Sequence, residues 1–483
     1  MGQIAAVISR RNTDVSDVVR RMLEYASPCP GDAHGLASEK GARITARIPE
    51  IPGAPSMLGH KHIKVNPEDP AQPLGQHGYT TTYEGRIWHS SDPSDANAIM
   101  DTLGPEARRG AEALLEENCS LALAVLDHGR LLCARDTMGL VPLYIGENEE
   151  LIAVASNRKM LWSAGLDTQV VQPGHVTSIS GECIKSEPVR TLSQLPPTSP
   201  SMDDAVKTLD ELLTRAVEAR CRGALKVALG FSGGIDSSLL AHYADKSGAR
   251  VDLICVGMEG TRGFEAAESA ADALDLPLRL EAFTADDVEE DLDAVLWSVE
   301  EADPMKIGVG LPTYWAARSA AETGHRIFIS GNCADEVFGG YQKYVREYLS
   351  KGDSVRETMY RDVASSHEAN FERDYKICSD LGLELRLPFA DIDVVMYGLS
   401  LPTELKLSKT PASPRKLILR ALARGKGFPE ELADRPKKAV QYSTGVNKVL
   451  QKLAKAEGKK LRVFLAERFA RVKDNMLRET YDR

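Results

Sequence analysis

Two patterns of apolar residues divide the chain. In residues 1–186, short runs rich in β-branched residues alternate with turns, and residues 15–25 and 97–117 carry apolar positions at helical spacing. After residue 203, apolar strands are separated by helical stretches of ten or more residues, which is typical of a doubly wound parallel sheet. Residues 191–202 are rich in proline and serine and predict a linker.

Length and composition indicate a soluble protein of ordinary type. The chain has 483 residues, a net charge of −11 and 27% charged residues, so two or three domains are expected. No apolar run reaches the roughly 20 residues that a membrane span needs, and we expect a cytosolic protein without a membrane partner. The eight cysteines include no C-x-x-C pair, which argues against a disulfide framework or a zinc site.

Residues 227–238 predict an anion-binding loop. An apolar strand runs into the sequence Ser-Gly-Gly, and a helical stretch follows it. Glycines let the backbone approach an anion, and unpaired N–H groups at a helix start point toward it. Asp236 would repel a bare phosphate, so it suggests a divalent metal between the carboxylate and a polyphosphate. The alternative is that the glycine pair only forms a tight strand-to-helix turn.

Two more apolar strands are predicted, at residues 251–258 and 326–329, and the latter is followed by small residues and then by Asp335. In parallel sheets, ligands bind at the carboxyl ends of the strands. Asp236 and Asp335 are both expected at such ends, which suits a Mg²⁺ ion shared between them on a pyrophosphate.

The loop Ser-Gly-Gly-Ile-Asp-Ser resembles the pyrophosphate loop of the ATP pyrophosphatases. Four further motifs, at residues 330–341, 373–376, 381–391 and 434–445, are similar to those of the synthetase domain of asparagine synthetases. The resemblance implies a Rossmann-like adenine-nucleotide domain that uses ATP and Mg²⁺. It also implies that pyrophosphate is held by Ser232, Gly233, Gly234, Asp236 and Ser237.

The same resemblance assigns four other residues. Val256 and Gly331 would offer backbone contacts to adenine. Lys437 would neutralise charge on the α-phosphate in the adenylation transition state, and Lys376 is a candidate for the same cluster. A Lys-Lys pair after Arg-Pro can instead be a solvated turn.

Motifs in the first half follow the order of the glutaminase domain of asparagine synthetases. They lie at residues 58–65, 72–74, 84–88, 134–144 and 173–175. The fold implied is the N-terminal-nucleophile αββα sandwich.

The glutaminase motifs depart from the family at the residues that carry the chemistry. Gly2 stands where the family has its nucleophilic cysteine, and His62 stands where it has the arginine that holds the glutamine carboxylate. Glu84 replaces the asparagine of the oxyanion-stabilising Asn-Gly pair, and Arg86 replaces a glutamate. A carboxylate would repel the developing oxyanion, so we expect a scaffold without glutaminase activity.

Asn332 is a departure in the synthetase half. Asparagine synthetases carry a glutamate there, thought to assist the attack of ammonia, and an amide cannot act as a general base. The related β-lactam synthetases have a tyrosine there and also lack the N-terminal cysteine. Together with Asp335 and Lys437, Asn332 completes the predicted catalytic set.

We therefore expect an adenylating, amide-bond-forming ligase that uses ammonia or another amine. One alternative is a different acceptor, giving a lactam, another amide or a modified tRNA base. A second alternative is a non-catalytic paralogue that only binds nucleotide.

The expected organisation has four parts: residues 1–190 as the glutaminase-like domain, 191–202 as the linker, 203–450 as the synthetase domain and 451–483 as a basic helical tail. From residue 448 onward the chain holds eleven Lys or Arg and five acids. Such a face is either solvated or a surface for RNA. A homo-oligomer is expected.

Overall fold

The computed structural model describes residues 2–90, 94–261, 263–410, 414–435 and 444–479. These residues form two compact units. The first holds the described residues of 2–192, Ser379–Glu384 and residues 475–479, and the second holds the described residues of Ser193–Cys378 and Leu385–Asp474. The first boundary lies two residues after the predicted one, at residue 190. The other two segments of the first unit, Ser379–Glu384 and residues 475–479, contain no sequence pattern that predicts their place in it.

Thirteen strands of the first unit, counted over its described residues, form two antiparallel sheets. They are β1 (Gly2–Ser9), β2 (Ala33–Ser38), β3 (Gly41–Thr45), β4 (Ser56–His62), β5 (Leu74–Gln76), β6 (Tyr79–Ile87), β7 (Cys119–Asp127), β8 (Arg130–Arg135), β9 (Tyr144–Glu147), β10 (Leu151–Ala155), β11 (Gln169–Val170), β12 (His175–Ile179) and β13 (Ile184–Pro188). The strand orders are β11-β9-β10-β1-β4-β2-β3 and β13-β12-β8-β7-β6-β5.

Helices cover the outer face of each sheet of the first unit. They are α1 (Ser16–Glu24), α2 (Ala96–Leu103), α3 (Ala107–Glu116) and α4 (Arg158–Ser163). The core between the first sheet and helices α1 and α4 includes Val7 and Val19. The core between the second sheet and helices α2 and α3 includes Leu114 and Leu123. Strands β1 and β4 pack against β6 and β7, so the predicted αββα sandwich is confirmed.

The segment Ser379–Glu384 is held in the first unit by polar contacts. Gln3 Nε2 donates to Ser379 Oγ at 3.0 Å. The buried Lys159 ammonium lies 2.7 Å from Asp380 Oδ2. A buried charge needs such a partner because leaving it unpaired would cost several kcal/mol.

The second unit is built on a five-stranded sheet of order β16-β15-β14-β17-β18. Its strands are β14 (Lys226–Gly230), β15 (Arg250–Met258), β16 (Leu278–Phe283), β17 (Ile327–Ile329) and β18 (Glu384–Arg386), and the first residue of β18 is the last residue of the first unit's segment Ser379–Glu384. Strands β14 to β17 are parallel to one another. The predicted strands at residues 251–258 and 326–329 are β15 and β17, and the doubly wound sheet is confirmed.

Helices precede, connect and follow these strands. They are α5 (Met202–Cys221), α6 (Ile235–Lys246), α7 (Gly263–Leu274), α8 (Ala285–Val299), α9 (Pro304–Glu322), α10 (Ala334–Phe338), α11 (Gln342–Lys351), α12 (Val355–Ala364), α13 (Glu372–Asp380), α14 (Ile392–Ser400), α15 (Leu417–Gly425), α16 (Glu430–Ala433), α17 (Val446–Ala456) and α18 (Leu461–Glu479). Ser201 caps α5, as its spacing to Asp204 predicts, by accepting the Asp204 N–H.

The strand order reverses between β14 and β17. From β14 the chain moves outward through β15 and β16, and it then returns to place β17 on the other side of β14. Ligands of doubly wound sheets bind at such a switch point, beyond the carboxyl ends of the strands. Within the described ranges, no helix has the length and apolar character that crossing a bilayer requires.

Candidate active site

A cavity of about 720 Å³ lies at this switch point, within the second unit. Its size is that of a small-molecule or cofactor pocket. Seven of the residues predicted for the site line it: Ser232, Asp236, Ser237, Val256, Gly331, Asn332 and Asp335. Its apolar wall includes Phe231, Phe264, Phe328, Val309 and Pro312.

The loop between β14 and α6 has the geometry of an anion cradle. Gly233 adopts a φ of +63°, and a Cβ there would lie 2.4 Å from the Ala266 carbonyl oxygen. Only glycine suits such a position. Gly234 is the N-cap of α6, so the first N–H groups of this helix lie at the loop. The hydroxyls of Ser232 and Ser237 lie 3.4 Å apart, and both residues line the cavity.

Asp236 and Asp335 meet at one ammonium group. Lys416 Nζ lies 2.5 Å from Asp236 Oδ2 and 2.5 Å from Asp335 Oδ1. Lys416 is 1% exposed, so its charge is offset by these two carboxylates. A carboxylate pair beside an anion cradle has the chemistry that Mg²⁺ prefers, and the residues present fit that ion.

Lys416 is a site residue that sequence reasoning missed. It follows Pro-Arg at the start of α15, and such a basic run is ordinarily a solvated turn. Its backbone is left-handed, with a φ of +60°. Gly340 makes room for the contact, because a Cβ there would lie 1.8 Å from Asp335 Oδ1 and 2.5 Å from Lys416 Cε.

Asn332 holds a carboxylate in the cavity. Its Nδ2 donates to Asp374 Oδ2 at 2.5 Å, and Arg373 Nε donates to Asp374 Oδ1 at 2.6 Å. All three residues line the cavity, and Arg373 and Asp374 are buried. The backbone turns sharply at Cys333, the residue after Asn332, whose φ of +79° is unusual for a residue with a side chain.

Glu336 is a second buried carboxyl group in the cavity wall. Its Oε1 accepts hydrogen bonds from the Tyr341 hydroxyl at 2.7 Å and from Asn370 Nδ2 at 2.9 Å. Burial, with the nearby charge of Asp335, raises the pKa of Glu336. Its charged form is therefore disfavoured relative to a solvated glutamate.

The structure places one of the two predicted lysines outside the cavity. Lys376 is buried and forms an ion pair with Glu300 at 2.8 Å, and it is not among the residues that line the cavity. Lys437 lies outside the described residues. The described residue Arg435 donates to the Gly233 carbonyl at 2.8 Å, and Thr444 lines the cavity.

In the first unit, an imidazole fills the space beside Gly2. A Cβ on Gly2 would lie 2.2 Å from Cε1 of His60. His60 is fully buried, and burial together with the neighbouring His62 holds its pKa well below the usual range. A nucleophilic side chain at residue 2 would therefore clash with a neutral imidazole.

His62 and Arg86, which both depart from the glutaminase motifs, line a small cavity in the first unit. Arg86 makes ion pairs with Asp69 at 2.7 Å and with Glu384 at 2.9 Å. The cavity beside Arg86 and His62 measures about 10 Å³, which is room for about one water molecule. Burial lowers the pKa of His62 to about 4, so at neutral pH its ring carries no charge to hold a carboxylate.

Glu84 is buried as well, and its Oε2 accepts a hydrogen bond from Ser156 Oγ at 2.9 Å. A buried acceptor cannot serve as an oxyanion donor. The described residues of the first unit thus retain the sandwich, and His62, Glu84 and Arg86 are buried in it.

Comparison with known proteins identifies the family. The model named Asparagine synthase matches residues 208–353 and 346–483, which is more than half of the chain. The chain belongs to the asparagine synthase family. The model of a glutamine amidotransferase domain matches residues 61–163. The chain is thus an asparagine synthetase-like ligase of an ATP-dependent amidotransferase family.

Individual relatives agree with this assignment. A Methanocaldococcus jannaschii protein, provisionally named asparagine synthetase [glutamine-hydrolyzing] 1, is 32% identical over 396 residues, 72% of this chain and 73% of that protein. An asparagine synthetase [glutamine-hydrolyzing] of Triphysaria versicolor is 30% identical over 404 residues, 77% and 68% of the two chains.

The similarity to one solved structure is low. A glutamine phosphoribosylpyrophosphate amidotransferase from B. subtilis is 14% identical, with a TM-score of 0.31 over 58% of this chain and 65% of that chain. An overlap of this size supports no argument about function.

Proposed function

We propose that the chain activates a substrate carboxylate by adenylation and passes the acyl group to ammonia or another amine. The observation that carries the proposal is the convergence of Asp236 and Asp335 at the switch point of the sheet, 2.5 Å from the same ammonium of Lys416. This pair lines the cavity together with the loop hydroxyls of Ser232 and Ser237.

Each half of the cavity suits one part of ATP. Pyrophosphate oxygens would accept hydrogen bonds from the N–H groups at the start of α6 and from the Ser232 and Ser237 hydroxyls. The backbone of Val256 and Gly331 would contact adenine, beside the apolar wall. Mg²⁺ would be held by Asp236 and Asp335, and when bound it would offset the charge of the phosphates. Lys416 holds the two carboxylates together at that edge.

The reaction has two steps. A carboxylate oxygen of the substrate attacks the α-phosphorus, and pyrophosphate leaves from the same phosphorus. The amine nitrogen then attacks the acyl carbon, and AMP leaves as the new C–N bond forms. Lys437 remains the sequence-based prediction for the cation beside the α-phosphate.

We also propose that the first unit hydrolyses no glutamine, so that nitrogen comes from ammonia or an amine in solution. Three features support this: the imidazole of His60 at the nucleophile position, the neutral His62, and the small cavity beside Arg86. Aspartate as the carboxylate and asparagine as the product are the first candidates, because the relatives are named for that product.

ATP–pyrophosphate exchange tests the adenylation step. Purified protein, ATP, magnesium and labelled pyrophosphate are combined with single carboxylates, beginning with aspartate. Exchange with at least one carboxylate is expected, and Asp236→Asn should lower it at least about 100-fold, since one of the two carboxylates that would hold Mg²⁺ beside the reacting phosphates is lost. Absence of exchange with every carboxylate tested, together with tight ATP binding, would indicate a protein that only binds nucleotide.

A further inference from the structure

The carboxylate of Asp374 occupies a defined position in the cavity, beyond the residues that sequence motifs assign. Both of its oxygens are oriented by neighbours: Oδ2 accepts from Asn332 Nδ2 at 2.5 Å, and Oδ1 accepts from Arg373 Nε at 2.6 Å. A carboxylate oxygen can accept about two hydrogen bonds. Each oxygen of Asp374 therefore retains acceptor capacity after these contacts.

We propose that Asp374 binds the attacking amine and takes its proton, and that Asn332 positions it for this role. This inference rests on the proposed function, because it concerns the second step of that reaction. Asparagine synthetases carry a glutamate at the position of Asn332, and the carboxylate of Asp374 would take over its function. Asp374 is 42 positions later in the sequence but within hydrogen-bond distance of Asn332 in the fold.

One bond forms, one bond breaks and one proton moves in this step. The nitrogen lone pair of the amine forms the C–N bond to the acyl carbon, and the C–O bond to AMP breaks, with its electron pair leaving on the AMP phosphate. The nitrogen becomes positively charged as the bond forms and is then strongly acidic. One N–H proton passes from it to an oxygen of Asp374. A carboxylate oxygen can accept so acidic a proton.

The surrounding acids are less suited to this role. Glu336 Oε1 already accepts two hydrogen bonds, from the Tyr341 hydroxyl and from Asn370 Nδ2. Asp362 accepts hydrogen bonds from the Tyr344 hydroxyl and lies 2.5 Å from Lys343 Nζ. Asp335 lies against Lys416 at the phosphate edge. Asp374 is the acid held by the residue that stands at the family's glutamate position.

The test separates the two half-reactions in the full-length protein. The variant Asp374→Asn keeps the shape of the side chain but removes its charge. With the carboxylate that supports exchange in the wild type, we expect exchange within about threefold of wild type. Amide formation from ammonium chloride should fall by about 100-fold or more, the range of a lost general base. Its rate should then rise with pH, as free ammonia increases.

A swap variant keeps the same two side chains in exchanged places. Asn332→Asp combined with Asp374→Asn returns a carboxylate to residue 332 beside an amide at residue 374. We expect it to regain at least about tenfold of the amide formation that Asp374→Asn loses, because the cavity again holds one general base. A residue with only a structural role would show no such recovery.

Three outcomes overturn the inference. In the first, Asp374→Asn forms the amide at the wild-type rate. In the second, exchange and amide formation fall by the same factor, which would show that Asp374 supports the fold or the adenylation step. In the third, the swap variant recovers nothing. Absence of exchange in the wild type with every carboxylate would instead overturn the proposed function and this inference with it.

Discussion

Gly340 leaves room for the carboxylate of Asp335. A Cβ on Gly340 would lie 1.8 Å from Asp335 Oδ1, far inside van der Waals contact. Any side chain at residue 340 would therefore disturb the ion pair between Asp335 Oδ1 and Lys416 Nζ, which lie 2.5 Å apart. Substitution at this position changes the active-site geometry without touching any atom expected to react.

The variant Gly340→Ala tests this relationship. We expect the alanine methyl group to displace the Asp335 carboxylate from Lys416, to lower pyrophosphate exchange at least about tenfold and to cost about 1–3 kcal/mol of unfolding free energy. Urea denaturation and exchange rates measure both effects. Gly425→Ala is a matched control, because a Cβ on that helical glycine meets no atom within 4 Å. Equal exchange in both variants would contradict the relationship.

The variant Lys416→Met tests whether the buried ammonium holds the two carboxylates together. It leaves Asp236 and Asp335 facing each other without their cation, and breaking a buried pair costs about 3–5 kcal/mol. Adding Asp335→Asn should recover part of this loss, since one of the repelling charges is removed. Urea denaturation of the single and double variants measures the effect.

A surface pair provides the control for Lys416. Lys351 lies 3.4 Å from Glu347, and its side chain is 66% exposed. Lys351→Met should change the unfolding free energy by about 1 kcal/mol or less. A similarly small change in Lys416→Met would show that the buried ammonium contributes no more than a surface charge.

The variant Gly2→Cys tests the proposal that the first unit hydrolyses no glutamine. Restoring a thiol to residue 2 should yield no glutamine hydrolysis above the wild-type background. The cysteine Cβ would collide with His60, and the cavity beside Arg86 holds about 10 Å³. Glutamate release from glutamine measures the activity. Substantial hydrolysis by this variant would show that the pocket opens in solution and that only the nucleophile is lacking.

The sequence pattern predicts much of the synthetase half. Strands followed by Ser-Gly-Gly and by small residues before Asp335 indicate a parallel sheet with its ligand edge, and the structure brings Asp236 and Asp335 together there. These residues are accessible to prediction because each lies next to its own strand. The rule that ligands bind at the carboxyl ends of parallel strands then joins them.

Other parts of the site depend on contacts between distant segments. Lys416 reaches Asp236 across 180 residues, and the basic run around it gives no sign of burial. His60 lies in a run of apolar and polar residues whose sequence does not reveal that it fills the space beside Gly2. Asp374 stands in a charged stretch, where its bond to Asn332 has no local signature.

The basic C-terminal region is predicted in part: the sequence indicates its secondary structure but not its contacts. The sequence predicts helical structure in this region, and residues 446–456 and 461–479 form α17 and α18. One of its cations, Arg468, forms ion pairs with Glu289 and Asp293 of α8. These ion pairs neutralise one positive charge of the basic region within the second unit. A contact with RNA remains a prediction that co-purification of nucleic acid would test.

The central claim, activation of a carboxylate by adenylation, is tested most directly by an oxygen label. The carboxylate that supports exchange is prepared with ¹⁸O in both oxygens and converted to the amide with ammonium chloride and ATP. Because the carboxylate oxygen attacks the α-phosphorus, we predict one ¹⁸O in the phosphate of AMP, measured by mass spectrometry. Label in inorganic phosphate, with ADP as the nucleotide product, would contradict the account.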